Sequence, residues 1–303
     1  MANLRELKRR IGGVKNTAKI TQAMKMVSAA KLKRGQRAIE SARPYVLKMQ
    51  EILGNVITGI GDDYENPLLT EREVKNIALV VIGSDKGLCG SFNANIFKKV
   101  NSFIKEDVSV NYPNANLQLI SVGNKTVSKF SKTKLNVTEN FKDVFGKLEF
   151  SGAQNIIKTF ESKFINGELD KVYVIYNEFI NVIRQEVRVE QLLPINPSNL
   201  SKEETESKSR VSYIFEPNEK EIMDELLPKL LNISLWRALL ESNAAENASR
   251  MMAMDNATTN ANELVSELNL KYNKERQAAI TTEMLEKIGK HTSELQSRGH
   301  LVC

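Results

Sequence analysis

The sequence predicts an α/β protein in which a long antiparallel α-helical coiled coil, built from both chain ends, carries a doubly wound α/β domain between its helices. Three observations predict this. The ends lack punctuation: Pro44 is the only proline in the first 57 residues, and no glycine falls between 168 and 288. Apolar residues at both ends recur at alternating spacings of three and four, the stripe of a helix packed on another helix. Between 75 and 193 the period changes to short apolar runs separated by amphipathic segments, the pattern of a mostly parallel sheet with crossover helices.

The first helix is predicted over 1–60. Leu4, Leu7, Ile11, Val14 and Ala18 open its stripe, which continues less cleanly through Thr21, Met24, Ser28 and Leu32, then Ile39, Val46, Met49, Leu53 and Val56. Pro44 removes one backbone donor and predicts a bend. The central domain is predicted over 75–193 and reads as Rossmann-like. Ile77–Ile82 is an unbroken apolar run ending in a Gly/Ser/Asp turn, as in a strand buried on both faces. A helix follows at 93–106, a strand at 117–122, a short basic helix at 124–132, a helix at 151–166, a strand at 171–176 and a half-exposed strand at 184–193. Residues 194–212, rich in Pro, Asn, Ser, Lys and Glu, read as a linker.

The last helix is predicted over 213–288, with Asn218 as a candidate N-cap and Pro228 as a second bend. Its seam runs from Leu230 through Ala244, Met254 and Ala261 to Tyr272. Some 60 to 70 helical residues extend on the order of 100 Å, more than a compact domain holds. From 243 to 262 the helix carries six Ala with Ser249, Thr258 and Thr259. Such a band suits either a tight helix crossing or a slender shaft that fits inside something. Residues 289–303 form a polar tail holding both His and ending in Cys303.

Composition narrows the function. The chain has 303 residues, room for about two domains. It is 41% hydrophobic and 26% charged, which excludes fibrous and wholly disordered classes. No run is apolar and long enough to span a membrane, and the first residues lack the apolar core of a secretory signal. Two Cys suit a reducing compartment. The net charge of +6 is unevenly placed: residues 1–37 hold eleven Lys and Arg against one acid, Glu6, and the rest of the chain is mildly acidic. A basic arm meets nucleic acid, lipid headgroups, an acidic protein rim or only water. No aromatic precedes Tyr45, so nothing in the arm can stack on bases.

Catalytic groups are missing as constellations. The turn Gly83-Ser-Asp-Lys-Gly-Leu-Cys-Gly-Ser-Phe-Asn93 joins a strand to a helix, where phosphate loops occur, yet it matches neither GxxxxGK[ST] nor GxGxxG. It reads better as a structural loop with a partner-facing tip. Cys89 lies within it, and both His are in the last 13 residues, so a small buried Cys is the simpler reading. No CxxC, HExxH or GxSxG occurs, so neither a metal site nor a hydrolase elbow is expected. The expectation is a mechanical or binding protein with no cofactor and no metal.

Three ordered motifs carry a family resemblance. Lys19-Ile-Thr-Gln-Ala-Met-Lys-Met-Val-Ser-Ala-Ala-Lys31 resembles the N-terminal signature of the gamma subunit of F-type ATP synthase. Ser84–Asn93 resembles that family's central motif, and Tyr272-Asn-Lys-Glu-Arg-Gln-Ala-Ala-Ile-Thr-Thr-Glu283 its C-terminal signature. The resemblance covers roughly 1–288. It implies a non-catalytic rotor stalk, one copy per complex, whose shaft turns inside a ring of three alpha and three beta subunits. Its foot would bind the epsilon subunit and the membrane c-ring. It also implies ring-facing contacts at Met24, Lys25, Arg276 and Gln277, and a basic collar at Lys19, Lys31, Lys33 and Arg34. Asp85, Lys86, Gly87, Cys89 and Gly90 would form a foot motif that packs or meets neighbouring rotor parts. Lacking a transit sequence, the chain is expected at the cytoplasmic face of a bacterial inner membrane. The Cys pair of thiol-regulated chloroplast members is absent from 194–212. The tail departs from the family's small apolar ending and reads as an extension by readthrough or frameshift. The competing readings are a basic coiled-coil adaptor for nucleic acid or membrane, and a nucleotide-binding enzyme built on the α/β domain.

Overall fold

A computed structural model describes residues 2–59, 64, 66–196, 216 and 218–299, with the side chains of 2–3, 50, 57–59 and 289–299 left aside. Most of the expected linker, from 197 on, and His300 and Cys303 at the tail end lie outside the described residues, as does the side chain of His291. The elements in chain order are α1 (Ala2–Gly59), β1 (Asn76–Ile82), α2 (Phe92–Phe103), a π-helical turn at Ile104–Val108, α3 (Ser109–Asn111), β2 (Asn116–Val122), α4 (Asn124–Phe130), β3 (Asn136–Phe141), α5 (Phe150–Ile165), β4 (Lys171–Phe179), β5 (Gln185–Leu193) and α6 (Glu219–Gly299). They fall into two compact units: Met1–Val27 with Met252–Cys303, and Ser28–Met251.

The larger unit is built on a five-stranded sheet of order β3-β2-β1-β4-β5. The first four strands are parallel, and β5 turns back antiparallel to β4. β1 explains the order: all but its first residue are buried, so it occupies the centre with apolar layers on both faces. Ile77, Leu79 and Val81 meet Ile96, Val100 and Phe103 of α2 with Phe130 of α4. Ala78, Val80 and Ile82 meet Ile156, Ile157, Phe160 and Phe164 of α5, and this layer includes Met49, Leu53 and Val56 of α1 and Met223, Leu227 and Leu231 of α6. From Leu230 to Ala248, α6 is buried on almost every side, and Ala244, Ala245 and Ala248 of the small-residue band lie in that stretch.

The sequence reading missed β3. Its residues, Asn-Val-Thr-Glu-Asn-Phe, are half-buried or exposed at a sheet edge, so they form no apolar run. The helix expected to 106 ends as an α-helix at Phe103 and continues as the π turn, where the Ser109 hydroxyl donates to the Ile104 carbonyl at 2.8 Å. Asn218 does cap α6: its Oδ1 accepts from the Glu221 amide at 2.9 Å, and its Nδ2 donates to Glu221 Oε1 at 2.7 Å. Pro44 and Pro228 both sit inside uninterrupted helices, and α6 runs on to Gly299, past the expected end at 288 and into the segment read as a polar tail.

Candidate functional site

The smaller unit is an antiparallel helix pair. Leu7 and Ile11 of α1 pack with Leu268 of α6, flanked by Val14, Leu264 and Tyr272. Further along, the hydroxyls of Thr21 and Thr258 meet at 2.7 Å, and Lys25 Nζ donates to Asp255 Oδ1 at 2.6 Å. The seam thus changes from apolar to polar, because Thr21 stands where a coiled coil usually carries Leu or Ile. Each Thr hydroxyl also lies within hydrogen-bond distance of a carbonyl of its own helix, Ala18 for Thr21 (3.0 Å) and Met254 for Thr258 (2.7 Å), so the two hydroxyl protons serve two of the three contacts at a time. The seam is satisfied without being greasy.

The residues expected to face a ring do not form one patch. Met24 is half-buried in the seam, and Lys25, with 40% of its side chain exposed, is bonded to Asp255. Arg276 and Gln277 are exposed on α6, 21 residues beyond Asp255, or about 30 Å at 1.5 Å per residue. Lys19 is exposed in the same unit. Lys31, Lys33 and Arg34 are also exposed, but they belong to the larger unit.

The turn 83–91 is held by several side-chain hydrogen bonds. Gly83 must be Gly: an added Cβ would lie 1.9 Å from Thr126 Oγ1. Asn93 reaches back from α2, accepting from the Ser84 amide (3.1 Å) and donating to Ser84 Oγ (2.7 Å) and Cys89 Sγ (3.2 Å). Asp85 accepts from the Asn124 amide (3.1 Å) and the Phe145 amide (2.8 Å), so its carboxylate fastens the start of α4 and the segment after β3. Burial pushes the Cys89 thiol up, against the Ser84 hydrogen bond and the Arg250 charge, so it is no activated nucleophile. Leu88 and Gly90 adopt positive φ (60° and 58°), and Leu88 is 66% exposed at the tip.

Against this turn lies α6. Arg250 donates to the carbonyls of Lys86 (3.0 Å) and Gly87 (3.2 and 3.3 Å) and to Glu246 Oε1 (2.5 Å). Glu246 is buried, and desolvation raises its pKa while Arg250 lowers it. A second polar group joins β4 and β5 to α6. Arg237 Nη2 meets Glu190 Oε2 at 2.7 Å, Tyr176 donates to Glu190 Oε1 at 2.8 Å, and Glu241 Oε1 stands 4.0 Å from Arg237 Nε. Desolvation pushes Glu241 up to about 7. Ser249 and Gln185 add a short side-chain hydrogen bond on the same line. The sequence reading missed these links. Glu246 with Arg250 is an i, i+4 pair amid small residues, a signal that could have found the link at the turn.

These contacts decide what the domain can do. Doubly wound sheets bind ligands outside the carboxyl ends of their strands where the strand order reverses, here beside β1 and β4. That place is taken by α6: Arg250 occupies the carbonyls after β1, and Phe179 at the end of β4 and Val182 beyond it pack with Ala244, Ala248 and Leu32. The class defined is a helical stalk whose α/β domain is clasped onto its own helix rather than opened to substrate.

A family described as ATP synthase matches residues 3–290. The ATP synthase gamma chain of Chlorobium phaeobacteroides (strain BS1) is 45% identical over 287 residues, covering 94% of this chain and 96% of that one. That of Chloroherpeton thalassium is 45% identical over 296 residues, with coverage of 95% and 97%. The chain belongs to the ATP synthase gamma chain family, and it is a non-catalytic stalk subunit. The central stalk and c-ring structure of Tetrahymena thermophila mitochondrial ATP synthase contains a chain 31% identical, with a TM-score of 0.56, covering 78% of this chain and 99% of that one. A rotor chain from the Euglena gracilis enzyme, 17% identical with a TM-score of 0.62 and coverage of 92% and 99%, shares the fold.

Proposed function

We propose that this chain is the turning shaft of a proton-translocating complex, present once, with its paired helix ends inside a ring of three alpha and three beta subunits. The larger unit would meet an epsilon subunit and a membrane c-ring at the cytoplasmic face of a bacterial inner membrane. The carrying observation is the seam of the smaller unit. It pairs two helices through Leu7, Ile11 and Leu268 over one stretch and through Ala18, Thr21, Thr258 and Ala261 over the next, where Leu throughout would give a thicker and stickier rod. No helix among the described residues is long and apolar enough to cross a membrane, so attachment would be through the partner ring.

A shaft acts on its ring only by contacting the three beta subunits unequally, because equal contacts shift no population. Exposed Arg276 and Gln277 are suited to that contact, with Met24 and Lys25 forming a second band about 30 Å away along the helices. Lys25 is held in place by Asp255, so its role is partly internal. Exposed Lys19 of the smaller unit, and exposed Lys31, Lys33 and Arg34 of the larger, offer long-range attraction to acidic loops without deep docking. Native mass spectrometry of what copurifies with the chain from detergent-washed membranes tests this. One copy with three each of two larger nucleotide-binding subunits is expected. The chain alone, or the chain bound to nucleic acid with a steep salt dependence, would instead favour the adaptor reading.

A further inference from the structure

We propose that Arg250 is a positioning residue for rotary coupling: with Glu246 behind it, its guanidinium holds the Lys86 and Gly87 carbonyls and fixes the α/β domain in register on α6. This rests on the stalk reading above, and it concerns how turning force applied to the domain reaches the helix.

The turn that Arg250 grips is itself rigidly held. Asp85 ties it to the amides of Asn124 and Phe145, and Asn93 ties it to α2. Force entering anywhere in the sheet is therefore delivered to residues 84–90 as to one body. On the other side, Arg250 and Glu246 are one helical turn apart, with only 11% and 6% of their side chains exposed. A buried ion pair of this kind adds little net stability over an apolar pair of the same shape, since desolvation offsets the attraction. What it adds is direction. Apolar contacts are non-directional and tolerate sliding, whereas three hydrogen bonds from one planar fork fix both position and angle. Lysine could keep the pair with Glu246 but could not span two carbonyls and a carboxylate in one plane.

The experiment is Arg250→Lys in the complete membrane-bound complex, with Arg250→Ala beside it. Hydrogen exchange at the amides of 86–90, proton-driven ATP synthesis and ATP hydrolysis are measured on the same preparations. For Arg250→Lys, assembly and hydrolysis should match the parent. Exchange at 86–90 should quicken by roughly 10- to 100-fold, the range for losing charged hydrogen bonds. Synthesis should fall by a clearly larger factor than hydrolysis, and Arg250→Ala should widen that gap. A loosened turn with an unchanged ratio of synthesis to hydrolysis would overturn the inference and leave Arg250 a merely structural group. So would unchanged exchange. If the parent chain is not found in such a complex at all, the stalk reading itself fails, and that outcome is visible before any variant is made.

Discussion

Glu241→Gln should make the larger unit more stable at alkaline pH while changing it little in acid. Glu241 lies on α6 with 13% of its side chain exposed. Its nearest cation, Arg237, is already engaged with Glu190, and Glu178 and Glu190 add repulsion. One carboxylate oxygen, Oε2, has no hydrogen-bond partner. Desolvation comes first among these causes, and the pKa rises from 4.5 to about 7. The sign follows. In the folded chain the group holds its proton more tightly than in the unfolded chain, so its contribution is fully present below about pH 4.5 and is lost as pH rises through about 7. At about 1.36 kcal/mol per unit, the charged form costs about 3 kcal/mol above that range.

Glutamine cannot ionise, so the variant should lack this loss. The stability difference between variant and parent should be near zero at about pH 4 and grow to about 3 kcal/mol in favour of the variant by about pH 8.5. Comparing the two chains cancels the slopes due to other groups, Glu246 among them. The chain's one tryptophan, Trp236, is next to Arg237 and half-buried, edge-on to Phe150 at 5.9 Å, so its fluorescence in urea titrations reports the right unit. A difference that stays flat between those pH values, or grows in the opposite sense, would refute the reasoning and show that Arg237 or water compensates the Glu241 charge.

Three further outcomes are expected. Gly83→Ala should destabilise the larger unit by roughly 1–3 kcal/mol, as overpacking does, and Thr126→Ala should restore part of it, since the clash is with Thr126 Oγ1; a double-mutant cycle by denaturant titration measures the coupling. Replacing Thr21 and Thr258 together by Val should lower stability by less than the sum of the two single changes, because each partner left alone keeps only its bond to its own helix; exchange protection of amides 18–28 is the readout. Asp255→Asn should weaken the helix pair by under about 1 kcal/mol, fading at high salt, because both side chains of the Lys25–Asp255 pair are 40–45% exposed; thermal melts at two ionic strengths check it.

What the sequence disclosed was whatever depends on period and on apolar runs. The two seams, β1, β2, β4 and the helices of the central domain were legible because burial on one or both faces leaves a pattern along the chain. β3 was not, because a half-exposed edge strand needs no apolar run. The polar joints were not legible either. Arg237 and Glu190 are 47 residues apart, and Arg250 and Gly87 are 163 apart, and nothing local announces such a pair. The motif 84–93 was recognisable as a turn with a role, yet its partner on α6 could be named only once the fold brought the two together.

The position of that partner also bears on what the usual ligand place of this topology can accept. A doubly wound sheet concentrates its unpaired backbone groups beyond the carboxyl ends of its strands, and enzymes use those groups to hold phosphates or cofactors. Here the same groups are spent on the chain itself: two carbonyls of the turn on Arg250, and the amides of Asn124 and Phe145 on Asp85. A ligand entering there would have to displace a buried arginine and leave Glu246 unpaired, which typically costs 3–5 kcal/mol, an amount of about two to four powers of ten in affinity. The fold's binding place has become its fastening, and a domain fastened in this way suits a part that must be turned as one piece with its helix.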